Sequence, residues 1–531
     1  MTANLSKLNE FMKNGNYAKA EFYLYEFLKD KPNDYTLNKN LGMTLLAQKK
    51  YDGALKSFEK CYFIHKEDFD IILNLSFLFL KVQDHEQSIK FAEEALTIDA
   101  KASGAFQNLA TCHLEMKDFE KAKHFAEKVI ELRGGITSKV FLQYEDFINT
   151  YADILLAKQE NKSFCMFAEQ ILDKKIFIGD LFLKLLKHDK TKIKKEYVEI
   201  ISSIIKSPEE FENSLERNAQ LAAANICLAE YNSKKSKKLS EKQFLEANNH
   251  IVLMQRSPIY ARQKMYVNLT EYFSSFRESS IINHINPEKG DGLIFIIGMP
   301  RSGTTLTESI LSTAENIFAG GEKVFFTNNL WSIFSDLKPG LEIDPKFIEG
   351  LGDRYLSTIE LQRGGRKYFI DKMPANFLYY KFIQLALPKA KFIHTFRNSW
   401  DNAISLFKAN FQDTIIYASS FFGIANEYSN YSALMRFWKK NSNHDSFFDV
   451  EYEKMVTNTE ECIQKLWSFC NLSGEFSDIK RKAHYANTAS QQQVSKDIYK
   501  SSLKKEGFMD LKDKFYDDLA QQDSFWAKRG I

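Results

Sequence analysis

Two architectures in series are expected along the 531-residue chain: an α-solenoid, then a three-layer α/β domain built on a parallel sheet. Rings recur at Tyr17, Tyr51, His85 and Phe119, 34 residues apart, with small residues three positions later at Ala20, Ala54, Ser88 and Ala122. Beyond residue 290, short β-rich runs alternate with longer helical ones, and the first of those runs opens directly into a glycine loop. A helical period of this length marks a stacked array, because one helix pair cannot bury its apolar face alone. Strands alternating with helices imply crossover connections, and crossovers imply parallel pairing.

Within each repeat the small residue lets the second helix approach the first, and the ring fills the space beside it. Leu41-Gly42, Leu75-Ser76 and Leu109-Ala110 keep the same register at a second point, on the first helix of each pair. About four repeats therefore cover residues 1–135, ending near Gly134-Gly135, and this segment resembles the tetratricopeptide family. Residues 136–284 keep helical apolar spacing, as in Ile200-Ile201-Ile204-Ile205, without the 34-residue register. They read as a degenerate helical repeat or connector. The lysines at 234, 235, 237 and 238 read as a solvated loop between helices. A polar stretch from Asn286 to Gly292 marks the boundary, and the α/β domain is assigned to 291–531.

Bulk properties narrow the function classes. Lysine and arginine number 72 against 69 acidic residues, a net charge of +3, and no dense basic block sits beside an aromatic platform. Nucleic acid is therefore not expected as a partner. The six cysteines, at 61, 112, 165, 227, 462 and 470, show no Cys-x-x-Cys spacing and read as reduced thiols of a cytoplasmic protein. Residues 1–12 lack a signal-peptide pattern, and no apolar run has the length of a membrane span. Histidines and cysteines lack ligand spacing, so no metal is expected.

The chemistry is expected after the first β-run, residues 293–297, where Gly298-Met299-Pro300-Arg301-Ser302-Gly303-Thr304-Thr305 leads into a helix starting near Thr304. Two glycines five apart allow a tight turn with several N–H groups pointing inward, and the helix adds the positive end of its dipole. The spacing is that of G-x-x-x-x-G-K-[ST], but Thr304 stands at the lysine position. Without that charge on the β- and γ-phosphates, nucleotide hydrolysis is disfavoured relative to a different phosphorylated ligand. Further strands are expected at 368–370, 391–396 and 446–451, with one more ending near Ala319-Gly320-Gly321.

Three ordered segments carry a resemblance: Pro300 to Thr305, Asp371-Lys372-Met373-Pro374-Ala375-Asn376-Phe377, and Phe392 to Asn398 running on to Ser405. With Tyr431 to Trp438, Val450-Glu451-Tyr452-Glu453 and Thr488-Ala489-Ser490, they resemble bacterial sulfotransferases with N-terminal tetratricopeptide repeats, which are similar to tyrosylprotein sulfotransferases. The resemblance implies 3′-phosphoadenosine 5′-phosphosulfate as sulfuryl donor, used without a metal. It places the 5′-phosphosulfate on Pro300, Arg301, Ser302, Gly303, Thr304 and Thr305, and the 3′-phosphate on Arg397 and Ser405, with Ser490 and Lys496 completing the donor site. Arginine suits a phosphate because its planar fork makes two parallel hydrogen bonds. Glu322, 21 residues after Arg301, takes the position of the catalytic base. Arg301 and Lys372 would neutralise charge on the sulfuryl group and the departing nucleotide. The histidine of cytosolic small-molecule sulfotransferases has no counterpart, since its position is Pro374. His394, in mid-strand, reads as a core residue.

Two departures stand out. Ser399 replaces a usual proline, and the family's arginine after Gln-Val is absent from Gln493-Val494-Ser495-Lys496-Asp497-Ile498-Tyr499, where Lys496 is the nearest cation. The acceptor stays open among a protein tyrosine, a carbohydrate, a lipid hydroxyl and a small molecule. The repeats would offer a groove to an acceptor peptide or a protein partner, or serve a homodimer. The competing reading is a tetratricopeptide scaffold with an inactive sulfotransferase domain.

Overall fold

The computed structural model describes residues 10–12, 14–207, 214–254, 260–334, 337–409, 411, 415–441, 446–472 and 507–531. The chain divides into two compact units, Met1–Phe167 and Ala168–Ile531.

In the first unit, helices of 14 and 13 residues alternate: α1 Tyr17–Asp30, α2 Tyr35–Ala47, α3 Tyr51–Ile64, α4 Phe69–Lys81, α5 His85–Ile98, α6 Ser103–Glu115 and α7 Phe119–Leu132. Their starts are written in the sequence, because Asp34, Asp68, Asp84 and Asp118 each accept the backbone N–H three residues on. Their turns are periodic too. Gly15, Lys49, Gln83 and Lys117, 34 residues apart, all take left-handed backbone, with φ of 67°, 59°, 62° and 62°. The small residues at 20, 54, 88 and 122 are fully buried. Contact is so close at Gly42 that a Cβ there would lie 2.8 Å from the Phe58 ring. Where serines replace glycine and alanine, they exchange bonds: Ser76 Oγ donates to the Ser88 carbonyl at 3.0 Å, and Ser88 Oγ to the Ser76 carbonyl at 2.8 Å. The polar atoms brought in by substitution are thus satisfied inside the core.

The second unit begins with helices and ends with a sheet. Helices α8 Ser214–Asn232 and α9 Lys237–Met254 pair as a hairpin, with Ser240 Oγ donating to the Ala229 carbonyl at 2.8 Å. Asn248 of α9 donates to the Phe407 carbonyl at 2.9 Å, and α10 Tyr260–Ser275 sends Arg262 and Tyr266 to the buried Glu427 carboxylate. These helices are therefore bonded into the α/β part of the same unit.

Strands β1 Leu293–Gly298, β2 Ile317–Ala319, β3 Tyr368–Asp371, β4 Lys391–Phe396 and β5 Phe447–Glu451 form one parallel sheet in the order β2-β3-β1-β4-β5. The α-solenoid followed by an α/β domain with a parallel sheet is what the periodicities predicted. Strand β1 is central and buried along its whole length, as its unbroken apolar sequence requires when both sheet faces are covered. Its Phe295 stacks on Phe392 of β4, with ring centroids 5.3 Å apart. After β1 the chain turns into α11 Thr304–Leu311 and moves to β2 and β3 on one side of the sheet. Helix α12 Pro345–Arg363 precedes β3; after β4 on the other side come α13 Ser399–Phe407 and α14 Phe421–Lys440, and α15 Lys512–Ala527 packs on α14 through Trp526 Nε1 to Asn430 Oδ1 at 3.0 Å. Adjacent β1 and β4 lead the chain in opposite directions, so a crevice opens at their carboxyl ends.

Leu75 is fully buried at the register point of the third repeat. Replacing it with alanine is expected to lower the unfolding free energy of the repeat unit by about 2–5 kcal/mol, read by denaturant titration followed by circular dichroism. A loss below about 1 kcal/mol would contradict a packed register at that position.

Candidate active site

Backbone conformation builds the loop between β1 and α11. Gly298 has φ 150°, and a Cβ there would sit 2.2 Å from the Thr395 carbonyl oxygen of β4. Gly303 has φ 107°, and a Cβ there would press 2.6 Å from the Tyr452 ring. Arg301 between them is left-handed at φ 69°. These conformations let the loop turn tightly between β1 and the first turn of α11, a glycine-loop-to-helix arrangement suited to an anion.

The side chains tie that cradle to the neighbouring strand. Ser302, 1% exposed, shares a 2.8 Å hydrogen bond between its Oγ and Thr395 Oγ1. Thr304 and Thr305 are buried at the start of α11. Arg301 Nε donates to Ser405 Oγ on α13 at 3.1 Å, and Asn402 Nδ2 of the same helix donates to the Pro300 carbonyl at 3.0 Å. Arg301 and Ser405, 104 positions apart in the chain, are thus brought into contact. Arg397, the first residue after β4, is buried; its guanidinium lies 4.4 Å over the centroid of the Tyr452 ring and its Nε lies 4.0 Å from Glu453 Oε1.

Glu322 and Lys372 meet at the ends of β2 and β3. Lys372 Nζ donates to Glu322 Oε1 at 2.5 Å, with the lysine side chain 0% exposed and the glutamate 43% exposed. The glutamate loop is clamped on both sides. Gly321 N–H donates to Glu308 Oε1 of α11 at 3.0 Å, and the Gly321 carbonyl accepts the Lys372 N–H at 2.8 Å. Behind them Asp371 is buried, accepting Tyr355 Oη of α12 at 2.8 Å and the Met373 N–H at 3.1 Å. Burial pushes its carboxyl up to about 7, against the opposing pull of the Tyr355 bond and of the buried Lys323.

His394 is bonded on both ring nitrogens: Nδ1 to Asp449 Oδ1 at 2.7 Å and Nε2 to Tyr431 Oη. Lys439 Nζ donates to the other Asp449 oxygen at 2.7 Å, and the Met299 N–H is directed to the Tyr431 oxygen. Burial pushes the imidazole pKa down, against the opposing pull of the Asp449 bond. This chain of bonds runs from the β5 side of the sheet to the root of the anion loop.

The residues that sequence motifs did not single out are the supports: Glu308, Lys323 and Tyr355. Glu308 carried a usable signal, an acidic residue within the otherwise uncharged Thr304–Leu311. Ser490, Lys496 and the whole 493–499 motif lie outside the described residues. Among the described residues, no cluster of three metal-ligating side chains occurs, and no helix is long and apolar enough to cross a membrane.

Residues 294–478 match the sulfotransferase family, and residues 103–135 match a tetratricopeptide repeat. The chain thus carries a sulfotransferase-family domain and a tetratricopeptide repeat. An uncharacterized protein of Aquifex aeolicus is 32% identical over 228 residues, covering 40% of this chain and 30% of that protein. The chain therefore spans under a third of the length of that relative. Among solved structures, a tetratricopeptide repeat protein from Parabacteroides merdae covers 47% of this chain and 92% of its own at 15% identity and TM-score 0.35. Pseudomonas aeruginosa PilF covers 41% of this chain and 94% of its own at 17% identity and TM-score 0.31.

Asp371 gives a pH prediction. Its proton leaves the folded protein at about 7 and the unfolded chain at 3.8, so the folded state binds more protons between those values. The stability it contributes is present below 3.8 and is lost as pH rises through about 7. The melting temperature of the wild-type protein minus that of Asp371→Asn should decline across this window. A difference that stays flat or grows with pH would refute the assignment.

Proposed function

We propose that the α/β domain transfers a sulfuryl group from 3′-phosphoadenosine 5′-phosphosulfate to an acceptor hydroxyl. The observation that carries this is the convergence of five strand ends: the anion loop from β1, Glu322 after β2, Lys372 after β3, Arg397 after β4 and Tyr452 after β5. Two anion-binding points at one crevice suit a donor with phosphoryl groups at both its 5′ and 3′ positions. The 5′ end would lie on the loop 300–305 at the start of α11 and the 3′-phosphate on Arg397, with Ser405 contributing from α13.

In the reaction the acceptor oxygen bonds to sulfur as the bond from sulfur to the bridging phosphate oxygen breaks. The hydroxyl proton passes to the Glu322 carboxylate, and 3′-phosphoadenosine 5′-phosphate leaves with the bonding electrons. Glu322 suits the role because its side chain is 43% exposed while the lysine paired with it is buried. Lys372 and Arg301 supply positive charge where the leaving group and the sulfuryl oxygens become more negative. No step calls for a metal.

A tyrosyl peptide is the acceptor we favour, because a tetratricopeptide array presents a groove suited to extended chains. Carbohydrate and lipid hydroxyls are compatible with the same chemistry. The six cysteines, spread along the chain without Cys-x-x-Cys spacing, support a reducing compartment such as the cytoplasm.

3′-Phosphoadenosine 5′-phosphate at a hundredfold excess over Kd should stabilise the protein by about 2.7 kcal/mol, read as a rise in Tm. ATP should give a smaller shift, and Arg397→Ala should abolish the response. No shift at millimolar nucleotide would favour the inactive-scaffold reading. In single-turnover assays over tyrosyl peptide, sugar and lipid acceptors, Glu322→Gln should slow transfer by about 10²–10⁴-fold while keeping the nucleotide-induced shift. Wild-type turnover rates in that variant would remove Glu322 as the base.

A further inference from the structure

We propose that Tyr452 and Glu453 are positioning residues that set the selectivity of this site for a 3′-phosphate, by fixing Arg397 in place before ligand arrives. The inference deepens the donor-site reading above and rests on it.

Sheet register generates the arrangement. Strands β4 and β5 pair in parallel up to Phe396 opposite Glu451, so the next two residues of each chain emerge side by side. Arg397 consequently meets Tyr452, and Asn398 meets Glu453. The guanidinium lies on the tyrosine face at 4.4 Å, and its Nε edge faces Glu453 Oε1 at 4.0 Å. The same carboxylate oxygen accepts the Asn398 N–H at 3.0 Å, which anchors it to the residue preceding α13. Tyr428 Oη adds a 2.7 Å bond to the Arg397 carbonyl, so backbone and side chain are both held. An arginine gripped on one face and one edge has surrendered its rotamer freedom before any ligand arrives, and its planar fork has a set direction.

The tyrosine ring does a second job. Its Cδ2 would lie 2.6 Å from a Cβ at Gly303, so the loop can approach only because that residue has no side chain. One ring therefore touches both anion-binding points, and its thickness helps set their separation. A ligand with two phosphoryl groups at a fixed spacing gains from that separation; a 5′-monophosphate engages only the loop. Neither residue needs to contact the reacting atoms.

The test is calorimetric titration of the full-length protein with adenosine 3′,5′-bisphosphate and, separately, with adenosine 5′-monophosphate. Glu453→Ala should reduce the preference for the bisphosphate about tenfold, with monophosphate affinity changed less than about twofold. Glu453→Gln, whose amide oxygen still accepts the Asn398 N–H, should restore most of the preference and guards against a folding defect. Tyr452→Leu should also narrow it. An unchanged preference in Glu453→Ala, or an equal loss for both nucleotides, overturns the inference. Equal affinity of the wild-type protein for the two nucleotides overturns the donor-site reading itself, and this inference with it.

Discussion

The parallel pairing of β1 between β3 and β4 is the constraint from which the site follows. A parallel sheet sends every strand end to the same edge, so residues as distant as Arg301 and Ser405 are delivered to one crevice without any long loop. The pairing is itself secured by burial. Each large apolar side chain of β1 withdrawn from water is worth about 1.5–3 kcal/mol, and the strand is buried at every position. A slip of β4 against both its neighbours would separate Gly298 from Thr395 and Arg397 from Tyr452 together.

Buried charge is the cost of that convergence. Asp371, Lys323, Lys372, Arg397 and Glu308 all lie within the second unit at low exposure. They are tolerable because each lies within a bonded or charge-paired arrangement: Asp371 with Tyr355 and Lys323, Lys372 with Glu322, Glu308 with Gly321 and Arg397 with Tyr452. Asp371 and His394 show burial acting in opposite directions, raising the carboxyl and lowering the imidazole so that both move toward neutrality.

Much of this was legible in the chain. The 34-residue period gave the repeats because small residues at helix crossings tolerate nothing larger, as the contact at Gly42 shows. The strand positions were legible because β1 and β4 are unbroken β-rich runs, and the anion loop because only glycine fits against Thr395 and Tyr452. What escaped local reading was contact across the fold. The partnership of Arg301 with Ser405, and that of Glu308 with Gly321, depend on which strands become neighbours, and no short-range pattern encodes that order. Ser88 and Ser76 sit between these cases: each looked like a tolerated small residue, yet the reciprocal bonds emerge only when the helices pack.

Gly321 links two kinds of chemistry. Its N–H is held by the helix that follows the glycine loop and its carbonyl by the residue after Asp371, so the Glu322 loop is bonded both to α11 and to the end of β3. A substitution that displaces Gly321 is therefore felt in two places at once, at the carboxylate after β2 and in the helix that follows the glycine loop.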